Sequence, residues 1–350
     1  MYPTNISNFP SLTPFRLARK QSPAKNLDLI SRSFDENLLT RLKPLIFTAK
    51  KPKITLSFLS LAVDILSSTH REAETLFSEL KSSFNLEDPL NLYLDDSIKL
   101  LDICNSISSE IEHFQKNRLL INFVLNLLDF SDQDRQIPGP EKLRRAKNSL
   151  SDWMNYTAGF KKPNLQNAEI LIGNLAVRLE DPPRGMISNV KKLIHRIIYA
   201  VAAVTVLITR VVVSALTGSP MDTRVRVPSE FIWAETFNGL ESTLFNHTRN
   251  LCTDENRRFI DDLDDVDSRV RSVYDVIDNL AGMDHFVVGS SGVHEGGKER
   301  LLKAVKELKM EMTAFSDGLD RLFNGVNVLF DSVLCARESL LEKFRVGMKA

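Results

Sequence analysis

Leu193–Thr217, LIHRIIYAVAAVTVLITRVVVSALT, decides how the rest of the chain is read. From Ile197 to Thr209 no side chain is charged, Arg210 interrupts, and Val211–Leu216 resumes the apolar run. That is roughly the 20 residues a helix needs to cross a bilayer. Arg210 argues the other way: at mid-helix it costs about 2.5–3.5 kcal/mol, each Val, Ile or Leu returns only about 0.3–0.6, and the sum lies near zero. Two readings stand. Ile197, Val201, Val204, Leu207, Arg210 and Val213 mark either a membrane segment or a helix buried all round inside a bundle. Lys191, Lys192, His195 and Arg196, just upstream, suit an anionic leaflet in the first case and form an ordinary basic helix start in the second. Inside a bundle Arg210 needs an acid, and the acidic helix expected over 254–278 is the nearest donor in sequence.

Outward from this segment, apolar residues recur in alternating steps of three and four, the period of long helices. Upstream the pattern runs Leu56, Leu59, Val63, Leu66, His70, Ala73, Phe77, Leu80, Phe84. It resumes through Leu100, Cys104, Ile107, Ile111, Phe114, Arg118, Ile121, Leu125 and Leu128, and these two helices are expected to pair antiparallel. Shorter helices are expected at 141–157, with Leu143, Leu150 and Trp153 facing inward, and at 164–180, ending before Asp181-Pro-Pro. Downstream, Gly218-Ser-Pro breaks the chain, and Phe259, Leu263, Val266, Val270, Val273, Ile277 and Leu280 keep a heptad. The last pattern, Leu301 to Leu340, contains Gly318 and Gly325 as candidate bends. No stretch alternates with a period of two. The expected fold is all-α: an elongated multi-helix bundle of long antiparallel coiled-coil-like helices around a central, strongly apolar helix at 193–217. Residues 1–34 are expected to be a disordered basic tail or transit segment, 35–350 a single helical-bundle domain, and 284–298 a flexible loop.

Composition bounds the function. The chain has 350 residues, 43% of them hydrophobic, with Lys plus Arg and Asp plus Glu at 45 each. No global charge points to nucleic acid, and none is expected as a partner. Cys104, Cys252 and Cys335 lie far apart and match no zinc or disulfide spacing, consistent with reduced thiols inside a cell. The first 27 residues hold four basic side chains and no acid, the composition of an organelle transit peptide.

Reactive constellations fail one by one. Gly292-Val-His-Glu-Gly-Gly-Lys298 matches GxxxxGK, but Glu299 stands where a phosphate loop needs a magnesium-binding hydroxyl. The acids of Asp261–Asp267 lack the glycine turn and terminal Glu of a calcium loop and read as a solvated helix face. His70 and Cys104 occupy core positions without a third partner. No catalytic, cofactor-binding or metal-binding residue is assigned, and no cofactor is expected. Trp233 and Phe237, in a short apolar block after a bend, are either core anchors or part of a partner surface.

Four blocks, Ser33-Phe-Asp-Glu-Asn-Leu-Leu39, Tyr93–Glu110, Phe231-Ile-Trp-Ala-Glu-Thr-Phe237 and Leu334–Leu341, resemble the plant BYPASS family in order and spacing along nearly the whole chain. The resemblance implies a plant developmental protein needed for normal root and shoot growth, whose relatives restrain a root-derived mobile signal. It brings no enzymatic activity, and it leaves chloroplast, cytoplasm and membrane open. The expectation is a non-enzymatic regulator or adaptor acting through protein partners, its oligomeric state open. An integral membrane component carrying or sensing a small metabolite is the alternative. An enzyme modifying a carotenoid-derived signal would need a pocket with convergent polar groups or a cofactor motif, and the sequence shows neither.

Overall fold

The three-four periodicity folds as it predicts. In the computed structural model, which describes residues 23–46, 53–81, 87–129, 138–158, 163–222, 224–251, 258–283 and 291–347, there are nine α-helices and no strand among those residues. They are α1 Pro23–Leu42, α2 Leu56–Lys81, α3 Glu87–Leu127, α4 Pro140–Ala158, α5 Pro163–Val177, α6 Val190–Thr217, α7 Ala234–Leu251, α8 Asp261–Met283 and α9 Ser291–Gly347. Pro opens α1, α4 and α5, where its fixed φ is pre-set for a helix and its missing N–H is no loss. The seams named from the sequence point inward: Leu56, Leu59, Val63, Leu66, His70, Ala73 and Phe77 on α2 are buried, as are Leu263, Val266, Val270, Val273 and Ile277 on α8.

Buried apolar side chains from Phe34 to Leu340 form one contiguous cluster. Helix α9 packs against α2, α3 and α8, while α6 packs against α1, α2, α3 and α5. The expected direct pairing of α2 with α3 is therefore corrected: α2 gives its main seam to α9 and α6, and α3 gives its own to α9, α5 and α4. With 57 residues α9 is about 85 Å long, and it runs through Gly318 and Gly325 without interruption. At Gly318 a Cβ would come within 2.9 Å of Leu56, so the glycine marks a close approach of α9 to α2 and not a bend.

Two boundaries shift. Helix α1 starts at Pro23, so residues 23–34 are helical rather than tail; Phe34 and Leu38 give that segment an apolar face to bury. Helix α9 starts at Ser291, which takes 291–298 out of the expected loop and places the GxxxxGK match in helical turns rather than a phosphate cradle. The transit segment over 1–22 and the loop residues 284–290 lie outside the described residues.

Candidate functional site

Helix α6 is the axis around which the polar chemistry gathers. Its ends are set by local signals: the Asn189 side chain accepts the Lys192 N–H at 2.9 Å, and Gly218 at φ 68° closes the helix with its N–H on the Ser214 carbonyl. Ile197, Val201, Val204, Leu207 and Val213 are all buried. The helix is long and apolar enough to cross a membrane, yet the whole of its most apolar 18-residue window is enclosed by the protein. Thr205 and Thr209 return their hydroxyls to carbonyls four residues back, at 2.8 and 2.7 Å, so they cost the apolar interior little.

Arg210 is partly buried and faces a small cleft it lines with Glu169 and Asp222. Burial pulls its pKa down, while the carboxylates of Glu241 and Asp222 oppose that shift. The expected donor over 254–278 is thus corrected: the charges acting on Arg210 come from α7 and from the turn after α6, because α8 packs on α9 and α4 instead.

Near the other end of α6 a carboxylate joins three segments. Asp35 on α1, itself buried, accepts the Trp233 Nε1–H at 3.0 Å and the Arg196 guanidinium at 2.9 Å. That guanidinium lies 4.0 Å over the Phe231 ring, which stacks on Tyr199 at 5.2 Å. Phe237 meets Trp233 edge-on at 5.5 Å. Trp233 and Phe237 are each 0% exposed, so the partner-surface alternative for them is corrected: the indole is an anchor tying the start of α7 to α1.

Halfway along α6, His70 donates or accepts at both ring nitrogens, 3.2 Å from the Tyr93 hydroxyl and 3.1 Å from Thr205 Oγ1. Burial drives the imidazole down to about 4, and it is neutral at physiological pH. Burial also pushes the Cys104 thiol up to about 12, which suppresses the thiolate a nucleophile requires. A third node pairs Arg258 with Glu110 at 3.4 Å, the guanidinium lying 4.0 Å over Phe114. These groups are held in their least reactive forms, or paired, by the same burial that fixes the helices. Among the described residues no group of three or more His, Cys, Asp or Glu side chains is placed to hold a metal ion.

The acidic face of α8 also has tasks that its pattern does not announce. Asp262 accepts the backbone N–H of Leu56 at 2.8 Å, capping α2, and Asp267 accepts the Trp153 Nε1–H at 2.7 Å. The four blocks behind the family resemblance meet in pairs. Asp35 and Trp233 join the first and third, and Arg337 of the fourth bonds the Leu94 carbonyl at 2.6 Å and the Ser97 hydroxyl at 3.2 Å in the second.

The family model Protein ROH1-like matches residues 17–161. The chain is 28% identical over 343 residues to "Protein BPS1, chloroplastic" of Arabidopsis thaliana, covering 96% of this chain and 90% of that protein. It is 31% identical over 248 residues to UPF0496 protein 4 of Oryza sativa subsp. indica, covering 68% of this chain and 52% of the relative. Its counterpart in subsp. japonica is 28% identical, with 77% of this chain and 59% of the relative covered. The chain thus spans most of the Arabidopsis protein and little more than half of the rice ones. No solved structure matches. The chain is thus BYPASS-like in sequence: its likeness to the Arabidopsis protein runs along almost its whole length, and the ROH1-like model matches within its first half.

Proposed function

We propose that this chain is a non-enzymatic plant developmental regulator that acts as a helical adaptor through protein partners. On this reading it is needed for normal root and shoot growth and restrains a root-derived mobile signal. The observation that carries the proposal is the extent of the likeness to BPS1, 96% of this chain and 90% of the relative, which makes the whole bundle common ground rather than one motif. The word "chloroplastic" in that relative's name and the acid-free residues 1–27 support delivery to the chloroplast, which a fluorescent fusion in leaf cells checks.

The test is complementation of an Arabidopsis line lacking BPS1, with expression of this chain confined to roots. Restored shoot growth is the expected result. Failure to rescue, with the protein accumulating and folded in roots, overturns the reading. An integral membrane component carrying or sensing a metabolite is the second reading, motivated by the length and composition of α6. Its enclosure among α1, α2, α3 and α5 weighs against it.

A further inference from the structure

The first turns of α6 open onto a cleft of about 290 Å³ lined by Pro183, Arg184, Gly185, Ile187, Asn189, Lys191, Lys192, His195 and Arg196. Four of these side chains are lysines or arginines, one is a histidine, and among the described residues none of those lining the cleft is an acid. Arg196 is held from behind by Asp35, which fixes its guanidinium as part of the wall. Gly185, at φ +82°, turns the chain so that Arg184 and Pro183 face the helix start across the gap. The positive end of a 28-residue helix adds to the same potential.

A second concavity, of about 360 Å³, shares Pro183, Arg184 and His195 with the first. Its wall is different. Leu92, Leu179, Ile198, Tyr199 and Ala202 give it an apolar face, beside Asp181 and an Arg178 engaged by Asp96 at 2.9 Å. The two adjoining concavities therefore present an acid-free basic lining on one side and, on the other, an apolar wall with two acids at its edge.

We propose that this pair of concavities binds a phosphate monoester with an apolar tail, its phosphate among Arg184, Lys192 and His195 and its tail against Leu179, Ile198 and Ala202. A phosphate offers acceptor oxygens on several sides, which suits cations converging from a loop and a helix better than a single planar contact would. The tail's site is an apolar wall within reach of that head, and both compartments fall in the size range of ligand pockets. The ligand is either a soluble ester or a membrane lipid of the same chemistry. This function is separate from the adaptor role and stands or falls without it.

The test uses the full chain and hexyl phosphate, a monomeric soluble probe, followed by isothermal titration calorimetry. Saturable binding is expected, weaker for inorganic phosphate and undetectable for hexanol. Arg184→Glu with Lys192→Glu, two exposed positions, is expected to weaken binding by more than about tenfold, since each charge-assisted hydrogen bond lost costs at least that factor. Lys303→Glu with Lys309→Glu on α9 makes the same change in net charge far from the cleft and is expected to leave binding unaltered. Co-sedimentation with phosphatidylcholine vesicles containing phosphatidic acid, against phosphatidylcholine alone, identifies a lipid source; binding of hexyl phosphate without vesicle binding identifies a soluble one. No binding of hexyl phosphate or of phosphatidic acid vesicles, equal binding of hexanol, or equal losses in the two double variants each overturns the proposal. Thermal unfolding of every variant separates a lost site from a lost fold.

Discussion

Asp35 accepts from both Trp233 and Arg196 inside the protein, so its removal strands two donors at once. Asp35→Ala is expected to cost about 3–5 kcal/mol, the range for breaking a buried ion pair by deleting one partner. Trp233→Phe, which loses one hydrogen bond and some volume, should cost about 1–3 kcal/mol. Urea unfolding measures both, and a near-neutral Asp35→Ala would show that the node adds nothing to stability. His70 makes a pH prediction. It titrates near 4 when folded, against 6.5 as an isolated side chain. Between those values the unfolded chain binds a proton that the folded chain does not, so stability is full above about pH 6.5 and falls by up to about 3 kcal/mol as pH drops towards 4. His247, also lowered by burial, adds to the same fall, while Asp96, Asp261, Asp267 and Glu241, raised by burial, oppose it. His70→Gln keeps hydrogen-bonding capacity without titrating, and melting temperatures recorded from pH 7 to 4.5 should decline less steeply for it than for the wild type. An equal slope in the two proteins would exclude His70 as a source of the acid sensitivity.

At the scale of helices, α2 and α9 are spaced by two glycines seven residues apart. A Cβ at Gly325 would lie 3.6 Å from Val63, an ordinary contact, whereas one at Gly318 would crowd Leu56 at 2.9 Å. Gly325→Ala is expected to stabilise the protein by about 0.5–1 kcal/mol through helix propensity. Gly318→Ala should gain nothing or lose, and Gly318→Val should cost about 1–3 kcal/mol by overpacking. Thermal denaturation of the three variants checks the order, and a Gly318→Ala protein as stabilised as Gly325→Ala would mean Leu56 yields freely. The helices themselves were legible in the sequence because periodicity records which face each one buries; on α9 Leu301, Leu308, Phe315, Leu322, Leu329 and Leu340 are all buried. Partner choice was not legible, since a heptad states that a seam exists and not which helix fills it. Hence periodicity pairs α2 with α3 where the fold pairs it with α9, and proximity in sequence points Arg210 to α8 where the charges acting on it lie on α7 and in the turn after α6. Asp35 falls within the Ser33–Leu39 block, but nothing local marks its carboxylate as a buried acceptor until α1 docks and brings Trp233 to it. Of the cleft only the helix side, Lys191, Lys192, His195 and Arg196, was legible; its other wall arises where the loop after α5 meets the start of α6.

For the molecule as a whole, the central question is whether α6 serves the bundle or a bilayer. Insertion would require withdrawing a helix whose apolar window is fully enclosed and baring the matching faces of α2, α3 and α5. Carbonate-washed plant membranes should therefore lack the wild-type protein, and Val204→Asp with Val206→Asp, both 0% exposed, should make it aggregate. Wild-type protein that resists carbonate, and is released by the double change, would instead establish a membrane segment. The length of α9 has a consequence for synthesis. Helices α2 and α3 are complete by Lys81 and Leu127, but the helix that covers them runs to Gly347. At about 5–20 residues per second, their apolar seams wait on the order of 10–40 s on the ribosome before their cover emerges. Nascent chains of this protein should accordingly depend on chaperones that shield helical surfaces, and one halted before Ser291 should be recognised by the cell as unfinished.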